Sequence, residues 1–144
     1  MKNVVIYIHG KYGIAEEAEH YKKFFNEADI IGFKYTSEYP WDFQKEFSNF
    51  IENIYAKYKK ISIIANSIGA YFTMLSLTNK NIEKAFFISP IVDMEKLITD
   101  MMVSENITEE ELYKKKEIKT SFGEILSWDY LTFARKNPIE WNIP

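Results

Sequence analysis

Ser67 stands where a serine can be made reactive. Ile61 to Ala65 is a short β-branched run, Ala65 and Gly69 flank the serine two residues to either side, and Gly69 to Leu77 is apolar nearly all round. Strand, small residue, serine, small residue, buried helix is the layout of a nucleophile elbow, with alanine in the first glycine place of G-x-S-x-G. So tight a turn leaves no room for large side chains at the two flanking positions. It lifts the serine Oγ clear of the sheet and aims the N-terminus of the following helix at whatever the serine attacks. The chemistry such a turn serves is acyl transfer.

A second loop fits the same chemistry. The first apolar run, Val4 to Ile8, ends in His9-Gly10-Lys11-Tyr12-Gly13. A backbone N–H near Lys11 and the N–H of Ile68, just past the serine, would together hold the oxyanion of a tetrahedral intermediate. One such donor is typically worth about 10²–10³ in rate. Gly10 and Gly13 give the loop the freedom to present it. A small-Ser-small turn also occurs in α/β domains that bind phosphate at a helix N-terminus, so an anion-binding domain is an alternative. Against it, the first turn lacks G-x-G-x-x-G and the chain has no G-x-x-x-x-G-K-[ST].

Four compact apolar runs read as strands: Val4 to Ile8, Ile30 to Tyr35, Ile61 to Ala65, and Ala85 to Ile88. Their near-continuous hydrophobicity is that of parallel strands covered on both faces. Helical spacing joins them over Glu16 to Asn26, Phe43 to Tyr58 and Gly69 to Leu77. The expected fold is a three-layer α/β sandwich whose mostly parallel sheet has the order 2-1-3-4. After the fourth strand, helices are expected over Asp93 to Met102, Thr108 to Ile118 and Ser127 to Lys136, with no strand between them. The second opens on a capping box, Thr108 with Glu111, and Glu110-Lys114 and Glu111-Lys115 pair along it, so its lysine run reads as a solvated face. Residues 93–137 thus read as a cap-like insertion over the carboxyl edge of the sheet, within a single domain spanning 1–144.

On Tyr7-Ile8-His9-Gly10 and Ile64-Ala65-Asn66-Ser67-Ile68-Gly69-Ala70, the chain resembles the α/β-hydrolase superfamily. The tract Phe86 to Met94 is similar to the strand and loop that follow the elbow helix in small bacterial members. The resemblance implies a serine hydrolase acting on an ester, thioester or related acyl bond. Ser67 would be its nucleophile and the N–H groups of Lys11 and Ile68 its oxyanion hole, supported by His9, Gly10 and Gly69. In that superfamily an acid and then a histidine follow the serine. Here the two histidines, His9 and His20, both precede Ser67. His9 lies in the oxyanion turn, where a structural role is expected, and His20 on the polar side of a helix beside Glu16 and Glu17. Asp93 is the remaining acid candidate, yet it immediately precedes a helical segment and suits an N-cap. Asp42 has a similar place ahead of the long helix. Asn137 to Pro144 resembles the lead into a further parallel strand, so the chain is expected to be the amino-terminal part of a hydrolase, inactive or incomplete by itself. Tyr12, Trp41, Trp128 and Tyr130 either line an acyl pocket or pack the core.

Composition narrows the partners. In 144 residues, 47% are hydrophobic and 17% aromatic, with a formal charge of -3 and no cysteine. There is no basic face for nucleic acid, and no disulfide framework or thiolate metal site. The first apolar run is too short for a signal peptide or membrane span, so a cytoplasmic protein is expected and the Asn106 sequon goes unused. A small-molecule acyl substrate is the expected partner, with no cofactor and no metal. The strand at 85–88 would be an unprotected aromatic edge, which predicts a homo-oligomer paired through it. A non-catalytic binding or self-assembly module is accordingly the second alternative.

Overall fold

The computed structural model describes residues 1–140. Its contacts divide the chain into two compact units, one running from Met1 to Ile91 and the other beginning at Val92.

The first unit is a parallel four-stranded sheet with helices. Strands β1 (Lys2–Ile8), β2 (Ala28–Gly32), β3 (Tyr58–Asn66) and β4 (Lys84–Ile88) lie in the order β2-β1-β3-β4, as the hydrophobic runs predict. The centre of β1 is buried on both faces from Val4 to Ile8. Tyr7 pairs with Gly32 on one side and Ile64 on the other, and Ile8 with Ala65. That register brings the end of β1 level with the end of β3. Side chains alternate between faces: Val5, Tyr7 and Ile64 form one cluster with Ala18, against which Tyr21 and Phe25 pack.

Helix α1 (Pro40–Tyr55) starts on a proline in its first turn and buries Phe43, Phe47, Ile51 and Ile54. Phe43 meets Phe47, Tyr35 and Phe72 at ring-centroid distances of 5.6, 4.9 and 5.2 Å. Phe72 lies on α2 (Ile68–Ser76), nearly all of which is buried. Aromatic packing thus ties the long helix to the one behind Ser67.

Several expected boundaries shift. The first helical pattern is a 3-10 helix, Ala15–Phe24, rather than an α-helix to Asn26. The second strand begins earlier than Ile30 and stops at Gly32, where a Cβ would lie 2.1 Å from the Ala15 carbonyl oxygen. Phe33 still donates its N–H to the Tyr7 carbonyl, but its ring and that of Tyr35 turn into the aromatic cluster.

The second unit holds α3 (Met94–Ser104), α4 (Glu109–Lys115) and α5 (Trp128–Lys136). The Thr108–Glu111 capping box forms as expected. Helix α4 stops short of Ile118, however, because Lys116 takes a φ of 67°. An antiparallel hairpin then follows, β5 (Glu117–Lys119) with β6 (Ile125–Ser127), in a stretch whose sequence pattern predicts no strand. Arg135 binds Glu95 and Glu109 at 2.8 and 2.7 Å, joining α5 to α3 and α4. Residues 141–144, in the stretch where a further strand is expected to begin, lie outside the described residues.

Candidate active site

At Ser67 the backbone adopts φ 55° and ψ -117°. A side chain held there carries strain of about 1–3 kcal/mol, and such strain persists only where surrounding contacts impose it. They are visible on both sides of the residue. The Ser67 N–H donates to the Ile88 carbonyl at 2.9 Å, while its own carbonyl accepts from Ala70, Tyr71 and Ile91 at 3.1, 3.3 and 3.4 Å. The elbow is therefore clamped by α2 and by the loop after β4, where Ser89 also has a positive φ of 45°. The sequence marks this loop within the tract Phe86 to Met94 but gives no sign that its backbone clamps Ser67.

The flanking small residues do what the motif requires. Ala65 is fully buried. A Cβ on Gly69 would stand 2.3 Å from the His9 carbonyl oxygen and 3.0 Å from Ile8 Cγ2, so glycine alone lets α2 close onto the turn after β1. A Cβ on Gly10 would reach Ser67 Cβ at 3.3 Å. The His9-Gly10 turn and the strand-to-helix turn at Ser67 are thus in direct contact.

His9 holds this turn. Its Nδ1 lies 2.7 Å from the Gly10 carbonyl oxygen. A carbonyl only accepts, so Nδ1 carries the proton in this arrangement. The ring stacks on Tyr35 with centroids 4.2 Å apart, and the Tyr35 hydroxyl donates to the His9 carbonyl at 2.7 Å. Burial raises the Tyr35 phenol far above its usual range, keeping it a donor. Gly13 N–H closes the turn onto the Gly10 carbonyl at 3.0 Å. Lys11 and Tyr12 lie exposed at its tip, Tyr12 with a φ of 65° and the Lys11 ammonium 5.6 Å from its ring. Ile68 supplies the first N–H of α2, which has no acceptor within the helix.

Sequence reasoning gave no role to Tyr7, Glu17 or Tyr71. The Tyr7 hydroxyl donates to Glu17 Oε1 at 2.6 Å, and the Asn66 side chain is its other polar neighbour. Burial and the Glu17 carboxylate push the Tyr7 phenol far upward, so it stays protonated. A tyrosine in an otherwise aliphatic strand was the hint. One turn beyond Ser67, the buried Tyr71 hydroxyl has no hydrogen-bond partner among the described residues, and burial raises it to about 12.

The other candidates have local employment. Asp93, in the second unit, caps α3 by accepting the Lys96 N–H at 3.0 Å. Asp42 sits exposed in the first turn of α1, and His20 is exposed. Trp41 stacks on Tyr39 at 4.9 Å; Trp128 meets Tyr113 edge-on at 5.3 Å, and Tyr130 is buried. Among the described residues no group of three His, Asp or Glu is placed to hold a metal ion, and no helix is long and apolar enough to cross a membrane.

No family model and no curated relative matches the sequence. Solved structures do. The chain is similar to Est1E from Butyrivibrio proteoclasticus, with a TM-score of 0.68 at 18% identity, over 96% of this chain and 60% of that one. It is also similar to the proline iminopeptidase-related protein of Thermus thermophilus, with a TM-score of 0.52 at 14% identity, over 92% and 62%. A third is lip1 of Acinetobacter baumannii AYE, with a TM-score of 0.50 at 16% identity, over 94% and 52%. This chain spans 52–62% of the length of these structures.

Proposed function

On a chain that has the α/β-hydrolase fold, we propose the nucleophile half of a serine hydrolase acting on an ester, thioester or similar acyl bond. The observation that carries this reading is the Ser67 backbone, held at positive φ between a parallel strand and a buried helix. In the reaction, Ser67 Oγ attacks the acyl carbonyl carbon. The developing oxyanion takes hydrogen bonds from the Ile68 and Lys11 N–H groups, while the α2 dipole favours the negative charge. The leaving alcohol or thiol departs from the tetrahedral intermediate, and water then hydrolyses the Ser67 acyl ester. Both proton transfers need a base, and the sequence has no histidine after Ser67. His9 is engaged in the turn. The reading therefore includes a chain that corresponds to the amino-terminal portion of a hydrolase and turns over poorly by itself. Cytoplasmic location, a small-molecule acyl substrate and independence from any cofactor or metal complete it.

A short-chain p-nitrophenyl ester tests the reading. Acyl transfer should add the acyl mass to the peptide containing Ser67, and Ser67→Ala should lose it. An unmodified Ser67, or equal modification of Ser67→Ala, would overturn it.

A second reading draws on β4. This edge strand exposes Phe86 and Ile88, at 48% and 39%. An open apolar edge favours pairing with a second copy of the same strand, giving a self-assembling module.

A further inference from the structure

The Tyr7 hydroxyl reaches across ten residues of chain to Glu17 and also faces Asn66, the residue just before the nucleophile. Glu17 in turn lies over the His9–Gly13 turn: a Cβ on Gly13 would stand 3.1 Å from Glu17 Oε1 and 3.1 Å from His9 Cβ. The phenol therefore has polar neighbours on both halves of the site, the β1 turn through Glu17 and the elbow through Asn66. Its ring is anchored independently, 2% exposed and stacked on Tyr21 at 5.4 Å. Neither the ring packing nor the cluster of Val5, Ala18 and Ile64 requires a hydroxyl.

We propose that Tyr7, through its hydrogen bond to Glu17 and its contact with Asn66, is a positioning residue that sets the spacing between the oxyanion turn and Ser67. The distance between an oxyanion donor and the nucleophile is a sensitive quantity, since a displacement of about 1 Å can cost about 10²-fold in rate. The activity arm of this proposal rests on Ser67 being the nucleophile; its structural arm does not.

Tyr7→Phe removes the hydroxyl and keeps the ring. The rate of Ser67 modification by a fluorophosphonate should fall about tenfold or more. Amide hydrogen exchange at Lys11 to Gly13 should quicken about tenfold while β1 and β3 stay protected. Glu17→Ala should behave likewise, whereas Glu17→Gln keeps an oxygen for the phenol to donate to and should recover most of the loss. Unchanged exchange at Lys11 to Gly13 in Tyr7→Phe overturns the proposal, as does a modification rate within twofold of the parent. If the parent is not modified at Ser67, the nucleophile reading falls, and exchange alone decides the role of Tyr7.

Discussion

At the scale of the residue, Ser67 trades backbone comfort for position. Its φ of 55° is one that glycine adopts freely and alanine does not. Ser67→Gly should therefore be more stable than Ser67→Ala by about 1 kcal/mol, read from chemical denaturation of the two variants. Equal stabilities would mean the turn relaxes at no gain. Gly69 poses the opposite case, where space rather than φ decides. A methyl group there meets the His9 carbonyl at 2.3 Å, and neither backbone can retreat without separating α2 from the β1 turn. Gly69→Ala should destabilise by about 1–3 kcal/mol and slow any reaction at Ser67. Tyr71 offers a control from the same helix. Its buried hydroxyl lacks a partner among the described residues, so Tyr71→Phe should leave the melting temperature unchanged or higher.

At the scale of the element, legibility followed periodicity. The buried runs of β1 and β3 and the Phe43, Phe47, Ile51 stripe of α1 are long enough for pattern to decide. The 3-10 helix at Ala15–Phe24 has the same apolar spacing as an α-helix over two turns, and no side chain caps its start. What tightens it is tertiary: Ala15 against Gly32, and Glu17 drawn to Tyr7. The β5–β6 hairpin was illegible because its strands have three residues each. Its register comes from Thr120, whose N–H and hydroxyl both bind the Glu124 carbonyl, at 2.7 and 2.8 Å. The motif residues of the elbow were readable; the clamp from Ile88 and Ile91 was not, being backbone hydrogen bonding that any side chain allows. Asp93 belongs at this scale too. As the cap of α3, it should tolerate Asn, which also caps, while Ala should cost about 1 kcal/mol. If Asp93 instead served the reaction as an acid, Asp93→Asn would slow Ser67 modification with stability intact.

At the scale of the molecule, buried phenols bear on stability at alkaline pH. Tyr7, Tyr35 and Tyr71 all have pKa values raised by burial. The folded state thus holds these protons more tightly than the unfolded chain, whose phenols titrate near about 10. Their contribution to stability is whole below about pH 10 and is lost as pH rises through the folded values. Phenolate absorbance from these three should therefore emerge together with the loss of helical circular dichroism, rather than before it. The edge strand supplies a second test at this scale. If β4 pairs with its copy, Phe86→Lys should shift light scattering toward the monomer without changing the fold.

The account turns on Ser67 being set apart from every other serine in the chain. Its most direct measurement is site-mapped reaction with a fluorophosphonate, with and without added imidazole as a surrogate base. The account predicts a single adduct at Ser67, formed faster with imidazole and absent from Ser67→Ala. Reaction spread evenly over exposed serines, or none at Ser67 even with imidazole, would contradict it.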